Sequence, residues 1–310
     1  MENRRLTLYP GIHVRTKLAG DKCAHVANRK NFTHLLPERI SFDKIIISNP
    51  KIYFMSTDTL SDFYDNYDYT AFWNGRNYEN GADEIAVSRL LSIITKDKSV
   101  AQLNFIDMGC GPGRMVHIYE PIYKEITLLD SSVDQLKEAQ GNVKDVDKSK
   151  TVLANVQETT LQNEHYDAAL CLRVFHYISN PEEVFKEMNR ILKPGGYLIL
   201  EIPNKLNFKN RIRSIFVKKH KNADFGNQII KSGREDDLIF VNHNPKDISA
   251  LLKSSNFEVI ELLSVSNFRS TFIKKIFPIP FLLFIEKFTQ KALAFFWFGP
   301  SIYFLARKVS

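Results

Sequence analysis

A glycine-rich run near residue 110 constrains the fold of this chain more than any other feature. Residues 104–113 read NFIDMGCGPG, a short apolar stretch that ends in an acid and turns through three glycines. Glycine tolerates positive φ and lets the backbone approach a ligand that a side chain would keep away. The pattern therefore predicts a β-strand, a ligand-binding turn and a helix that begins near Arg114.

Two acids narrow the class of ligand. Asp107 ends the first strand, and a pyrophosphate is not expected beside a carboxylate because it prefers backbone N–H groups. The spacing is also GxGxG, whereas nicotinamide-binding turns have GxGxxG. A cofactor with a positive amino group and a sulfonium suits Asp107. Asp130 ends the next apolar strand, TLLD, where a carboxylate can accept hydrogen bonds from both hydroxyls of a ribose.

Strands and helices alternate along the rest of the chain, which is typical of an α/β fold. Helices are predicted over 82–94, near Val133 and from Pro181, where Asn180 precedes a proline at the first helical position. We expect a mostly parallel seven-stranded sheet flanked by helices. Its predicted strands cover residues 103–107, 126–130, 151–154, 166–172, 197–202, 257–264 and 301–308.

Four segments in this order resemble the class I S-adenosylmethionine (SAM)-dependent methyltransferases. They are the glycine turn, LDSSVDQL at 129–136, HYDAALCLRVFHYI at 165–178 and LKPGGYL at 192–198. The resemblance extends from about Tyr64 to Lys308 and implies a Rossmann-like fold with SAM as the cofactor. It also implies that the three glycines of the turn surround the methionine part of SAM and that Asp130 holds its ribose.

The resemblance extends to a fuller cofactor site. Asn155 stands where the family usually has an aspartate at the adenine, and an amide can still accept from the adenine amino group. The aromatic stretch before the first helix resembles a family segment that lies over the cofactor, and it can alternatively pack that helix onto the sheet. Its candidates are Tyr69, Trp73, Arg76 and Tyr78. The complete predicted set is Asp107, Gly109, Cys110, Gly111, Gly113, Asp130, Ser131, Asn155, Val156, Leu172, Tyr69 and Arg76.

Two residues after the fourth strand are candidates for catalysis. His176 is the candidate general base for a hydroxyl acceptor, with a packing histidine as the alternative interpretation. Arg173 is the candidate for orienting an anionic acceptor. His243 is a weaker candidate, which we interpret as a loop residue. The three cysteines lie far apart and show no metal-ligand spacing, so we expect no metal and a reducing compartment.

Two inserts, 204–240 and 268–300, follow strand ends on the side where substrates bind. Residues 205–221 carry seven basic side chains and no acid, which suits nucleic acid phosphates, an anionic lipid surface, an acidic substrate or a solvated face. Residues 268–297 mix many aromatics with lysines. They suit an interfacial helix or an apolar substrate tunnel, with a cap packed on the core as the alternative. We favour an apolar or lipid-like acceptor and peripheral membrane contact through 205–221 and 268–297.

Within the sequence of 310 residues, we predict a methyltransferase domain at 63–310 and an accessory region at 1–62. The N-terminus lacks a secretory pattern, and no apolar run approaches the roughly 20 residues of a membrane span. We therefore expect a cytoplasmic enzyme, peripheral to a membrane, that methylates a small-molecule or lipid-like acceptor by in-line displacement. Nucleic acid is not the expected partner, because no RNA-binding motif is present. An RNA or protein methyltransferase and a SAM-binding protein without turnover remain alternatives; the oligomeric state stays open.

Overall fold

The computed structural model describes residues 5–9, 12–15, 73, 75–97, 103–216, 227–230 and 238–309. The chain forms two compact units, residues 1–53 and 54–310, whereas the sequence predicts a boundary at 62. In the first unit, β1 (Arg5–Tyr9) pairs antiparallel with β2 (Ile12–Arg15). The predicted cofactor residue Tyr69 lies outside the described residues.

A seven-stranded sheet is the centre of the second unit. Its order is β10-β11-β7-β6-β3-β4-β5, and β11 runs antiparallel to both of its neighbours while the other pairs are parallel. This confirms the predicted Rossmann-like fold. The strands are β3 (Asn104–Met108), β4 (Glu125–Asp130), β5 (Ser149–Leu153), β6 (Tyr166–Cys171), β7 (Leu192–Pro203), β10 (Phe257–Val265) and β11 (Ser301–Lys308). Between β7 and β10 in the sequence, β8 (Asn227–Ile230) and β9 (Leu238–Val241) form a separate antiparallel pair.

Helices cover both faces of the sheet. Neighbouring residues of one strand point to opposite faces, so Phe105 and Ile106 of β3 belong to two different hydrophobic clusters. Every residue of β6 is buried, as expected for a central parallel strand. The helices are α1 (Asn77–Asp97), α2 (Val116–Tyr119), α3 (Val133–Gly141), α4 (Pro181–Ile191), α5 (Phe208–Phe216), α6 (Pro245–Ser254), α7 (Thr271–Ile276) and α8 (Ile279–Ala294).

Several element boundaries differ from the sequence prediction. Helix α1 begins at Asn77, five residues before the predicted start at 82, because the buried side chain of Tyr78 anchors this first turn. The helix predicted near Arg114 is the single turn α2. Strand β7 begins at Leu192. The predicted turn at 193–196 is a bulge within this strand, between Leu192, which pairs with Tyr166 of β6, and Tyr197, which pairs with Ala168.

Among the described residues, no helix combines the length and the apolar character that a membrane crossing requires. The longest apolar helix is α8, with 16 residues.

Candidate active site

The turn between β3 and α2 requires its glycines for two different reasons. Gly109, Gly111 and Gly113 have φ angles of 77°, 52° and 76°, a region that residues with a Cβ rarely adopt. A Cβ on Gly109 would clash with Cγ2 of Val174. A Cβ on Gly113 would lie 2.9 Å from Cα of Ala139 in α3. Gly113 thus lets α3 pack against the turn, and it does not line the cavity described below.

The end of β4 holds the glycine turn in place. The backbone N–H groups of Gly109 and Cys110 donate to the carbonyl oxygen of Leu129, at 2.7 and 2.9 Å. One carboxylate oxygen of Asp130 accepts from the N–H of Gly111 at 2.9 Å, and the other accepts from the N–H of Ser132 at 3.0 Å. Asp130 therefore fixes the turn that a cofactor must contact, besides offering its remaining lone pairs to a ligand.

Asp107 is a buried acid that forms no ion pair with any residue the structure describes. The hydroxyl of Tyr119 donates to its Oδ2 at 2.8 Å. Burial raises the pKa of Asp107 to about 7, the Tyr119 hydrogen bond opposes this shift, and the charge of Asp130 adds to it. A carboxyl group in this state is stabilised in its ionised form by a positive ligand. The site thus suits the ammonium group of a SAM methionine.

One cavity of about 1860 Å³ joins most of the predicted site residues. Besides the catalytic candidates Arg173 and His176, it is lined by the predicted cofactor residues Asp107, Gly109, Cys110, Gly111, Asp130, Ser131, Asn155, Val156, Leu172 and Arg76. The volume exceeds the roughly 300–1,000 Å³ of a pocket for one drug-sized ligand. It therefore has room for a cofactor and an acceptor together.

Gln135 is a site residue that the sequence did not reveal. Its side chain is 2% exposed and lines the cavity, and its Oε1 has no hydrogen-bond partner among the described residues. A buried amide oxygen without a partner is costly, so a ligand donor would satisfy it. The one signal in the sequence is its position in the first turn of α3, after the N-cap Ser132, whose hydroxyl accepts from the Gln135 N–H.

A buried charge network lies beside the cavity and was also missed. The guanidinium of Arg173 donates to both carboxylate oxygens of Asp83, at 2.8 and 3.1 Å, and reaches Glu201 at 3.4 Å. Arg114 pairs with the same Asp83 at 2.9 Å. Although burial raises it, the two arginines hold the pKa of Asp83 below its usual value. Arg173 is thus bound to carboxylates, and its predicted role with an anionic acceptor stays a prediction.

His176 lines the cavity as a neutral imidazole. Burial, followed by the charge of Arg173 and the neighbouring His243, lowers the pKa of His176 to about 3. Its ring stacks on Phe240 at 4.6 Å. A general base works best with a pKa near the operating pH. The low pKa of His176 therefore argues against the predicted base role, which stays a prediction. His243 donates from Nε2 to the carbonyl oxygen of Phe175 at 2.7 Å, as a buried loop residue.

The residues before α1 divide between the cavity and the core. Trp73 lines the cavity, and the guanidinium carbon of Arg114 lies 3.9 Å from the centre of its ring. Arg76 also lines it. Tyr78 does not: its hydroxyl donates to buried Glu286 of α8 at 2.7 Å and accepts from the N–H of Phe268 at 2.8 Å. The predicted lid role of Tyr78 is therefore wrong, because this side chain ties α1 to α8.

The far wall of the cavity comes from both inserts. Phe208 and Ile212 of α5 and Phe272 of α7 line it, together with Phe240 and Phe298. The described residues of both inserts that line the cavity follow the carboxyl ends of β7 and β10, and a substrate role for the inserts stays a prediction. Within the described parts of the chain, no group of three acidic, histidine or cysteine side chains is arranged to hold a metal ion.

Comparison with known proteins agrees with this site. The profile of the family described as "Methyltransferase domain" matches residues 106–200. The chain is 26% identical over 172 residues to the ubiquinone biosynthesis O-methyltransferase of Dechloromonas aromatica, covering 54% of this chain and 70% of that protein. It is 29% identical over 98 residues to a sterol 4-C-methyltransferase of Caenorhabditis elegans, covering 31% of this chain and 29% of that protein.

Other matches are partial or structural. An uncharacterized 37.1 kDa transposon protein of Streptomyces fradiae is 26% identical over 103 residues, which span only 30% of its length. Among solved structures, the magnesium protoporphyrin IX methyltransferase of Synechocystis, with bound SAH, has a TM-score of 0.50 and 13% identity. The match covers 81% of this chain and 99% of that one, and at this identity it shows the fold alone.

The sheet order, the glycine turn with its two acids and the family match over 106–200 lead to one identification. Residues 106–200 form a SAM-dependent methyltransferase domain, on the fold of the class I methyltransferases.

Proposed function

We infer that this methyltransferase acts on an apolar or lipid-like small molecule. The observation that carries the proposal is the continuity of the cavity from the glycine turn to an aromatic wall. Asp107 and Asp130 line the same cavity as Phe208, Phe272 and Phe298. An apolar wall gains free energy from an apolar ligand, at roughly 25 cal/mol per Å² of buried surface.

The names of the relatives point in the same direction. Ubiquinone precursors and sterols are apolar small molecules, and proteins that are named for methylating them match this chain. The matched stretches span between 29 and 70% of the lengths of these two relatives. The proposed class of acceptor therefore rests on the side chains that line the cavity, and the relatives only support it.

The residues of this chain fit SAM as follows. SAM supplies a methyl group on a sulfonium, a carbon already activated for displacement. Asp107 would bind the ammonium group, Asp130 the ribose hydroxyls and Asn155 the adenine amino group, while the open space beside Gly111 would admit the methionine part. Holding the acceptor in line with the methyl group supplies most of the rate enhancement through proximity and orientation.

A hydroxyl acceptor would also have to lose a proton. His176 lines the cavity as a neutral imidazole, so it can accept a hydrogen bond from an acceptor hydroxyl. Its low pKa means that an imidazolium formed here would pass its proton on readily. A carbon or nitrogen acceptor that needs no base would use His176 only for positioning.

Labelled SAM tests the proposal. The full chain is incubated with methyl-labelled SAM and a cell extract, and the lipid-soluble, protein and RNA fractions are analysed by mass spectrometry. We expect the label in an organic-solvent-extractable small molecule. Label confined to RNA or protein would favour the alternative that uses the basic residues of 205–221. Binding of SAM without any labelled product in any fraction would favour a protein without turnover.

A further inference from the structure

Helix α8 buries polar side chains and exposes phenylalanines, the reverse of what is expected for a surface helix in water. Its buried positions are Leu282, Glu286, Gln290 and Ala294, spaced four residues apart. The opposite side carries phenylalanines that continue beyond both helix ends. We name this set the phenylalanine face; it consists of Phe277, Phe281, Phe284, Phe288 and Phe295, which are 43–83% exposed. A water-facing helix normally shows its polar residues to solvent.

The polar side of α8 is held inside by specific hydrogen bonds. Glu286 accepts from the hydroxyl of Tyr78 at 2.7 Å and from the N–H of Ser266 at 2.9 Å. Gln290 donates to the carbonyl oxygen of Ala82 in α1 at 3.0 Å. Rotating α8 to bury the phenylalanines would break these bonds and expose Tyr78. The outward direction of the phenylalanine face is thus fixed by the fold and is not an incidental rotation of a loosely packed cap.

The exposed charge that residues 266–300 carry beside the phenylalanine face is positive, with Lys274 and Lys291 paired to Glu79 and Glu261 of other elements. Between residues 266 and 300 the one acid is Glu286, which is fully buried, while five basic residues lie in the same segment. Lys275 and Lys287 are exposed, and neither forms an ion pair with a described residue. Helix α5 adds the exposed Lys209 and Arg211, and Arg211 contacts the carbonyl oxygen of Phe296 beside the face.

We propose that the phenylalanine face and its lysines dock on the surface of an anionic lipid bilayer. Exposed aromatic side chains beside lysines are the composition of a helix that lies in the membrane interface. A second copy of this chain fits poorly, because a twofold contact would bring lysines against lysines. The helix is too short to span a bilayer, for which about 20 residues are needed.

Docking here would bring the mouth of the cavity to the lipid surface. Phe272, Phe208 and Ile212 line the cavity and are themselves 71, 47 and 38% exposed. Arg211 of α5 joins the end of α8 through Phe296, so the two inserts form one surface beside the opening. The docking proposal goes beyond the proposed function, and its test uses neither acceptor nor turnover.

Vesicle flotation tests the docking surface directly. The full chain is mixed with vesicles of phosphatidylcholine alone or with about a third of phosphatidylglycerol. We expect flotation with the anionic vesicles and little with the neutral ones. Lys275→Glu/Lys287→Glu should weaken the partition by about 30-fold or more, since each lysine near an anionic surface contributes about 1 kcal/mol. Lys246→Glu/Lys253→Glu, on exposed positions of α6, makes the same charge change elsewhere and should float like the wild type.

The apolar part has its own matched pair. Phe284→Ser/Phe288→Ser should lower the partition by about 100-fold or more, because each buried phenylalanine contributes at least about 1.5 kcal/mol. Val146→Ser/Val309→Ser, at exposed positions away from α8, should not. Unchanged SAM affinity in every variant shows that the fold is intact. Equal flotation of wild type and Phe284→Ser/Phe288→Ser would overturn the proposal, as would a dimer in light scattering that this variant dissociates.

Discussion

At the residue scale, Asp107 connects the fold to the cofactor. Its carboxyl group lies at the end of β3, buried beside the glycine turn, with Tyr119 donating to it. Burial alone disfavours its charge, and the approach of a cation restores it. We therefore expect this residue to make cofactor binding sensitive to pH.

We predict that SAM binds about tenfold more weakly at pH 6 than at pH 8. The pKa of Asp107 is raised by burial to about 7 in the free protein, and the ammonium group binds the ionised form. Ionisation is nearly complete at pH 8 and about a tenth complete at pH 6, which sets the expected ratio. Isothermal titration at several pH values measures it. An affinity that is constant over this range would show that Asp107 does not gain its charge on binding.

The sign for stability is opposite to the sign for binding. A carboxyl group whose folded pKa is raised contributes stability that is fully present below its unfolded pKa, near 4, and lost as the pH rises towards 7. SAM restores what the free protein loses at high pH. The increase in Tm on adding SAM should therefore be larger at pH 8 than at pH 6.

Gly113 is predicted to matter for stability rather than for ligand contact. Gly113→Ala should lower the free energy of unfolding by about 1–3 kcal/mol, because it combines positive φ with overpacking against Ala139. Gly141→Ala, at the end of the same helix α3, meets nothing within 4 Å and should be neutral or stabilising by up to about 1 kcal/mol. Urea denaturation of both variants measures the difference; equal effects would contradict the packing argument.

At the element scale, the alternation of strands and helices predicted the sheet well, since each strand ends in a recognisable signal. Asp107 and Asp130 close β3 and β4, and Pro181 opens α4. What the sequence did not predict depends on contacts between distant elements. Tyr78 lies among other aromatics in the sequence, yet it contacts Glu286, 208 residues away. No local pattern carries that information.

Asp83 is a second example of a long-range role. It lies among the apolar positions of α1. An acid on the buried side of a helix was the one feature of the sequence that indicated a buried ion pair. Its partners are Arg114 beyond the glycine turn and Arg173 beyond β6. Arg173 adopts a φ of 62°, an unusual value that its bonds to Asp83 and Glu201 hold in place.

We predict that Asp83→Asn destabilises the protein by about 3–5 kcal/mol. The change leaves two arginines in the interior with one charged partner fewer, which is the costly way to break a buried ion pair. Asp145→Asn, which removes an exposed pair with Lys148, should cost less than about 1 kcal/mol. Both values come from urea denaturation. A cost for Asp83→Asn as small as that for Asp145→Asn would mean that water screens the network.

At the scale of the whole molecule, residues at the ends of the sheet strands line the proposed cofactor half of the cavity, and residues of the inserts line the proposed acceptor half. The cofactor half could be predicted because a turn, two acids and their spacing are local features. The acceptor half could not, because Phe208, Phe272 and Phe298 meet at the cavity only through the paths of α5 and α7. Composition indicated an apolar and basic surface there, while the reversed polarity of α8 became visible in the structure.

The central claim is that SAM binds in the cavity against Asp107. Isothermal titration of SAM into the wild-type chain and Asp107→Asn tests it most directly, with Asp247→Asn on exposed α6 as the control. We predict one SAM per chain, a loss of about 10- to 150-fold for Asp107→Asn from a charged hydrogen bond worth about 1.5–3 kcal/mol, and no change for Asp247→Asn. Equal affinity of Asp107→Asn and the wild type would contradict the account.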